Sequence, residues 1–220
     1  PIASPRFHPY SKVSVSAQVK EDEIAGLEIR LRPALHEACD SWLGHRLANT
    51  LEIVTTSVSW VRGQRRPQLS EFVLFSQRSL VPGGPTRASH SWMLEAAARR
   101  GGIYGPGALH HGLRLGAGYC ARLQESLHLF LLTTGAVLWA AGERVTLAPG
   151  SQAGFLYLLS DTWRMGAQFD WQQDILHRAG DWIDGELWLQ KDVGRLWGIR
   201  LGFERTSVGH CVSVGTSRYL

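Results

Sequence analysis

Residues 195–205 read Arg195-Leu-Trp-Gly-Ile-Arg-Leu-Gly-Phe-Glu-Arg205, and their alternation decides the fold class. Trp197, Ile199, Leu201 and Phe203 fall on one side of an extended chain, with Gly198, Arg200, Gly202 and Glu204 on the other. A period of two is that of a β-strand, because a helix would scatter these residues around its whole surface. Its length suits a strand of about 9–11 residues tilted near 45°, the length that crosses a bilayer. The apolar side carries aromatics, whereas the polar side mixes glycine with opposite charges.

The same unit recurs along the chain. Val13, Val15, Ala17 and Val19 oppose Lys12, Ser14, Ser16, Gln18 and Lys20; Leu27, Ile29 and Leu31 oppose Glu28, Arg30 and Arg32. These two runs flank a polar turn and read as a hairpin. Leu51–Trp60 and Leu69–Gln77 alternate more weakly, and the pattern does not fix their faces. Trp92, Leu94, Ala96 and Ala98 oppose Met93, Glu95, Ala97 and Arg99, after which the GGIYGPG segment turns the chain. Leu113, Leu115, Ala117, Tyr119 and Ala121 oppose Gly112, Arg114, Gly116, Gly118 and Cys120. The run LHLFLLTTGAVLW is apolar on both faces for part of its length, which leaves its register open. Trp163, Met165, Ala167, Phe169 and Trp171 face away from Arg164, Gly166, Gln168, Asp170 and Gln172; Ile183, Gly185, Leu187 and Leu189 face away from Asp184, Glu186, Trp188 and Gln190. With a last strand over Cys211–Leu220, the reading is an all-β, antiparallel transmembrane β-barrel of about twelve strands, an even number as in bacterial single-chain barrels. Residues 1–10 read as a lead-in from a missing or removed upstream segment, and 11–220 as one barrel domain.

Composition agrees. The chain has 220 residues, 44% of them hydrophobic, with 24 glycines and 9 tryptophans, and a mean hydropathy of −0.11. No run of 18 apolar residues occurs, which excludes a transmembrane helix. The net charge of +4 is spread out rather than clustered, so nucleic acid is not an expected partner. A soluble β-sandwich or lipocalin-like barrel would place the apolar face inside. Against it stand the glycines of the polar face (Gly112, Gly116, Gly118, Gly166, Gly198, Gly202), which weaken a strand but would make room for Arg and Glu in a crowded lumen. Trp163 and Trp171, eight positions apart, span roughly 26 Å along a strand, near the separation of the two aromatic girdles that flank a roughly 25 Å apolar band. Trp163, Trp171, Trp197, Tyr119 and Phe203 are the expected girdle residues.

Five stretches, LEIRLRPALHEACD (27–40), LANTLEIVTTSVSW (47–60), QLSEFVLFSQRSLVP (68–82), SWMLEAAARR (91–100) and GLRLGAGY (112–119), carry a family resemblance. In that order they resemble the C-terminal barrel domain of certain Gram-negative envelope proteins, where it follows a periplasmic domain similar to part of lacto-N-biosidase. The likeness runs from about Ser11 to Leu220, with RLRPALHE its most distinctive part. It implies an outer-membrane location, contact with outer-membrane lipids, dependence on the barrel assembly machinery during biogenesis, and a periplasmic domain upstream. It implies no catalytic residue.

The polar face suggests an interior charge network: Glu28, Arg30, Arg32, Glu95, Arg99, Arg114, Arg164, Asp170, Asp184, Glu186, Arg200 and Glu204, with Lys12, Lys20 and Glu52 alongside. The two signs nearly cancel, whereas a selective pore shows a surplus of one sign at its constriction. Pairing across a narrow lumen is expected to close it, giving a membrane anchor or platform for a periplasmic domain. A narrow channel for ions or small polar solutes is the alternative, a lipid-active barrel enzyme the third reading, and a soluble binding barrel the fourth. No cofactor, metal or catalytic set is expected. His36, Cys39, Asp40 and His45 match no zinc spacing. His110 and His111, like His90 and Ser91, would face opposite ways as strand neighbours. Cys120 and Cys211 in strands and Cys39 in a loop read as unreactive thiols. With the chain ends on the periplasmic side, the later turns there (QES, SDT, DVG) are short, but HEACDSWLGHRLANT and SLVPGGPTRASH are long: either the strand count slips in the first half or these segments dock a periplasmic partner, and docking is the reading favoured.

Overall fold

The computed structural model describes residues 11–20, 23–36, 49–81, 83, 89–100, 108–176, 181–194, 196–206 and 209–220. The strands are β1 Lys12–Lys20, β2 Glu23–Arg32, β3 Ala34–His36, β4 Asn49–Val61, β5 Gln68–Ser79, β6 Ser89–Arg100, β7 Leu109–Gln124, β8 Leu127–Ala140, β9 Thr146–Leu158, β10 Trp163–Gln173, β11 Asp181–Val193, β12 Trp197–Thr206 and β13 Gly209–Tyr219. No helix occurs among the described residues. The strands pair antiparallel in chain order, and β1 closes the sheet on β13, with Lys12 opposite Tyr219. Arg195, the first residue of the opening stretch, the GGIYGPG turn, and the side chains of Lys20 and His36 with Cys39, Asp40 and His45, lie outside what is described.

The barrel wall has twelve staves, because β2 and β3 are one stave. Both pair with β4 in one running register, Leu31 opposite Thr56 and Ala34 opposite Ile53. Pro33 interrupts them because it has no N–H to give the ladder. The interruption continues sideways. Val54, next to Ile53 on β4, has φ of 55°, a left-handed conformation costly for a β-branched residue. On the following strand the register to β6 shifts between Val73 and Phe75. Each strand therefore carries an extra residue at the same level. Thr50, Glu52, Thr55 and Ser57 face inward while Ile53 and Val54 both face outward; Glu71, Val73, Ser76 and Arg78 face inward around an outward Leu74. This seam is why simple alternation cannot assign the faces of β4 and β5.

Elsewhere the alternation predicts the faces directly. Along β8 every second residue from His128 to Leu138 is buried, and Leu129, Leu131, Val137 and Trp139 are exposed. Its inner face is apolar because it packs against a lumenal cluster of Leu80, Met93, Cys120, Phe130, Leu132, Leu156 and Trp188. That cluster corrects the reading of the inward glycines. An added Cβ at Gly166 would lie 2.6 Å from the Trp188 ring, and one at Gly116 2.7 Å from Met93. The room they leave is taken by large apolar side chains as well as by charges.

The outer surface is apolar, with Leu113, Leu115, Leu131, Ile199, Leu201 and Val214 all exposed. Burying such a surface in lipid is the favourable alternative to exposing it in water. Ser11 and Leu220 meet at one rim, where Leu220 N–H donates to the Ser11 carbonyl at 2.9 Å. The connections 37–48 and 80–88 join strand ends on this rim, as do the short turns after β7, β9 and β11. Beyond β5, Leu80 is buried and Gly83 N–H donates to the Cys120 carbonyl of β7 at 3.2 Å.

Candidate functional site in the barrel lumen

Strand parity sends the inward side chains of neighbouring strands into one space, and the wall sets its width. Twelve strands spaced about 4.8 Å apart and tilted near 40° close a wall of roughly 24 Å diameter. Inward side chains divide this interior into cavities of about 420 and 190 Å3.

Arg78 on β5 and Gln168 on β10 make the longest span. Their strands are five staves apart, almost opposite, yet Arg78 Nη1 donates to Gln168 Oε1 at 2.7 Å. Extended Arg and Gln side chains reach roughly 7 and 5 Å from their backbones at normal bond lengths, so the two walls stand about 15 Å apart there and the barrel is flattened. The Arg78 guanidinium also lies over Phe130, 5.8 Å from the ring centre.

Ion pairs fill much of the remaining width. Arg30 pairs with Glu71 and donates to Ser57 Oγ at 2.6 Å; Glu28 lies 3.7 Å away. Arg99 donates to Glu71 at 2.7 Å and grips both oxygens of Glu95 at 2.5 and 2.8 Å, a bidentate geometry. Arg114 reaches over two strands to Asp170 at 2.6 Å, and Gln152 Nε2 donates to the same carboxylate at 2.9 Å. Arg164, 1% exposed, pairs with Asp192, Arg200 pairs with Glu186, and Arg32 lies 3.8 Å from Glu52. Removing one member of such a pair leaves the other buried and unpaired, which costs more than the pair itself contributes.

All twelve expected network residues face the lumen, but two do not join by pairing. Asp184 accepts a hydrogen bond from Trp182 Nε1 at 2.9 Å, and neither it nor Glu204 has a cation within 4.0 Å among the described residues. They sit in like-charged cross-strand pairs, Asp170 opposite Asp184 and Glu186 opposite Glu204. Parity alone places them inward but does not supply a partner.

Sequence reading missed Glu71 and Arg78 because of the seam. Asp192 is hidden from sequence reading because DVG reads as a turn, whereas β11 continues through Val193 and makes Asp192 its last inward position. Parity with Gln190 was the available signal. The inner apolar cluster had a signal too, in the two apolar faces of β8.

The girdle residues all face outward. Trp163 and Trp197 stand at the rim of the chain ends, with Lys191 Nζ 5.0 Å and the Arg218 guanidinium 5.5 Å from their ring centres. Trp171 and Phe203 lie towards the other rim, and Tyr119 rests against His90 at 5.3 Å. Ser91 is buried on the inner face, opposite to exposed His90. His110 likewise points inward to Trp182 and His111 outward to Trp139.

No curated protein sequence matches the chain. Among solved structures it is similar to the KdgM porin in complex with disordered oligogalacturonate (TM-score 0.56, 10% identity, covering 95% of this chain and 99% of that one). It is also similar to the NanC porin (TM-score 0.56, 8% identity, 96% and 100%). At such identity the likeness is one of fold, a closed twelve-stranded antiparallel barrel of the outer-membrane porin type. Residues 6–215 match the family model for the domain of unknown function DUF7840, and the chain belongs to that family.

Proposed function

We propose that the protein is an outer-membrane barrel whose lumen is held nearly closed and whose rim at the chain ends serves as anchor and platform for a periplasmic domain. The Arg78–Gln168 bond carries this reading, because it joins nearly opposite walls across the lumen. The anchor role is supported by geometry at one rim. Ser11, Leu220 and the strand ends joined by the connections 37–48 and 80–88 lie there, and Leu80 is buried in the interior. The family resemblance in the sequence implies a periplasmic domain ahead of the barrel, which this reading joins to the rim of the chain ends. A reporter domain joined ahead of Ser11 should stay with the outer-membrane fraction and resist added protease in intact cells. Digestion in intact cells would place that rim outside and end the platform reading.

A narrow channel for small polar solutes is the second reading. It is favoured by the polar cavity of about 420 Å3 beside the bridge and by the porin architecture. Steady conductance by the unmodified chain in a planar bilayer would select it over the first.

A further inference from the structure

The lumenal charges nearly cancel in number, but they are sorted along the barrel axis. Near the rim of the chain ends stand Lys12, Arg32, Arg78, Arg164 and Arg200, against Glu52 and Asp192. The half towards the other rim holds most of the carboxylates, with Arg30, Arg99 and Arg114 among them, and there the pairing leaves a remainder. Asp184 and Glu204 have no cation within 4.0 Å among the described residues. Like charges in opposed positions destabilise a sheet, and the diagonal from Asp184 to Glu204 spans roughly 7–8 Å at the backbone.

A second observation points to what the site takes. Gln172, 5% exposed, lines the same cavity two residues beyond Asp170, and its Oε1 is buried without a hydrogen-bond donor. A buried acceptor left without a donor is costly. By register, Asp184 lies opposite Asp170, with Gln172 on β10 and Glu204 on β12 as its diagonal neighbours. Trp182, whose N–H fixes Asp184, lines the cavity as well. The set therefore offers two carboxylates and an amide carbonyl, all acceptors, beside an indole. Among the described residues no three His, Cys, Asp or Glu groups converge to hold a metal ion. Acceptors spread over three strands suit a guest with several N–H donors and some length.

We propose that this half of the lumen binds an organic cation, a small primary amine or diamine, between Asp184 and Glu204, with Gln172 Oε1 accepting one of its N–H groups. An ammonium is attracted by the carboxylates and by an aromatic face. Glu204 is exposed, which leaves the site open to the lumen. The site goes beyond the anchor reading and does not depend on it, since a guest can enter a vestibule whether or not the far end conducts.

The test is calorimetric titration of the whole chain, refolded in detergent, with putrescine, and in a parallel arm with magnesium chloride. Saturable putrescine binding is expected, weakened at least tenfold in Asp184→Asn/Glu204→Gln and several-fold in Gln172→Leu. Putrescine should also raise the Tm of the unmodified chain and not that of the double variant. With the ligand absent, the double variant should unfold at the same or a higher temperature, because a repulsion has been removed. Should the double variant fail to refold, Glu204→Gln and Gln172→Leu singly carry the comparison. Absence of saturable putrescine binding, equal binding by the variants, or binding of magnesium alone would overturn the proposal.

Discussion

The bridge across the lumen predicts a specific coupling energy. Arg78→Ala removes a charged hydrogen bond to Gln168, a class of bond that contributes about 1.5–3 kcal/mol. It also removes the contact over Phe130, which at 5.8 Å from the ring centre stands near the limit of such interactions and is worth about 0.5–1 kcal/mol. Part of that loss is offset because a buried charge and its desolvation cost disappear as well. A double-mutant cycle cancels these background terms. Arg78→Ala, Gln168→Ala and the double variant, unfolded by urea from lipid vesicles, should give a coupling of about 1.5–3 kcal/mol for a bridge that persists in the folded barrel. A parallel cycle between Arg78 and Phe130→Leu should give a smaller value, about 0.5–1 kcal/mol. Coupling between Arg78 and Gln168 below about 0.5 kcal/mol, the range of independent sites, would refute the bridge and with it the argument that the barrel is flattened there.

Three further outcomes follow from the wall itself. Val54→Gly removes a left-handed strain of about 1–3 kcal/mol, so in the same urea assay it should be more stable than Ile53→Gly by about that margin; equal losses would mean that the seam is unstrained. Gly166→Leu should destabilise by about 1–3 kcal/mol by driving into Trp188, and a folded variant of unchanged urea midpoint would show the ring to be free to move. Leu115→Arg, at a strongly exposed outward position, should cost about 2–4 kcal/mol in vesicles if it lies near the bilayer midplane, and a neutral effect would place that face away from lipid.

The parts of this fold that can be read from sequence are those where strand period alone decides. Along β7, β10 and β12 each inward and outward residue follows from parity, and so do the outward positions of Trp163, Trp171 and Trp197. Parity fails where backbone irregularity intervenes. Pro33, Val54 and Leu74 each insert a step into neighbouring strands, and since no single strand reveals this, Glu71 and Arg78 were hidden. Parity also says nothing about distance across the lumen. Which arginine meets which carboxylate depends on side-chain reach in a flattened barrel, so Arg114 finds Asp170 while Asp184 and Glu204 find no cation. The glycines of the inner face signalled crowding, but the crowding group, Trp188 over Gly166, is visible only once β10 and β11 are in register.

A closed lumen is tested most directly by the conductance of the unmodified chain in a planar bilayer, on protein whose folding is first established by boiling-dependent migration on a gel. The account predicts a trace at background, with steps appearing only when Arg78 and Gln168 are both replaced by alanine. Large, steady steps from the unmodified chain, of the size expected of an open twelve-stranded pore, would contradict it.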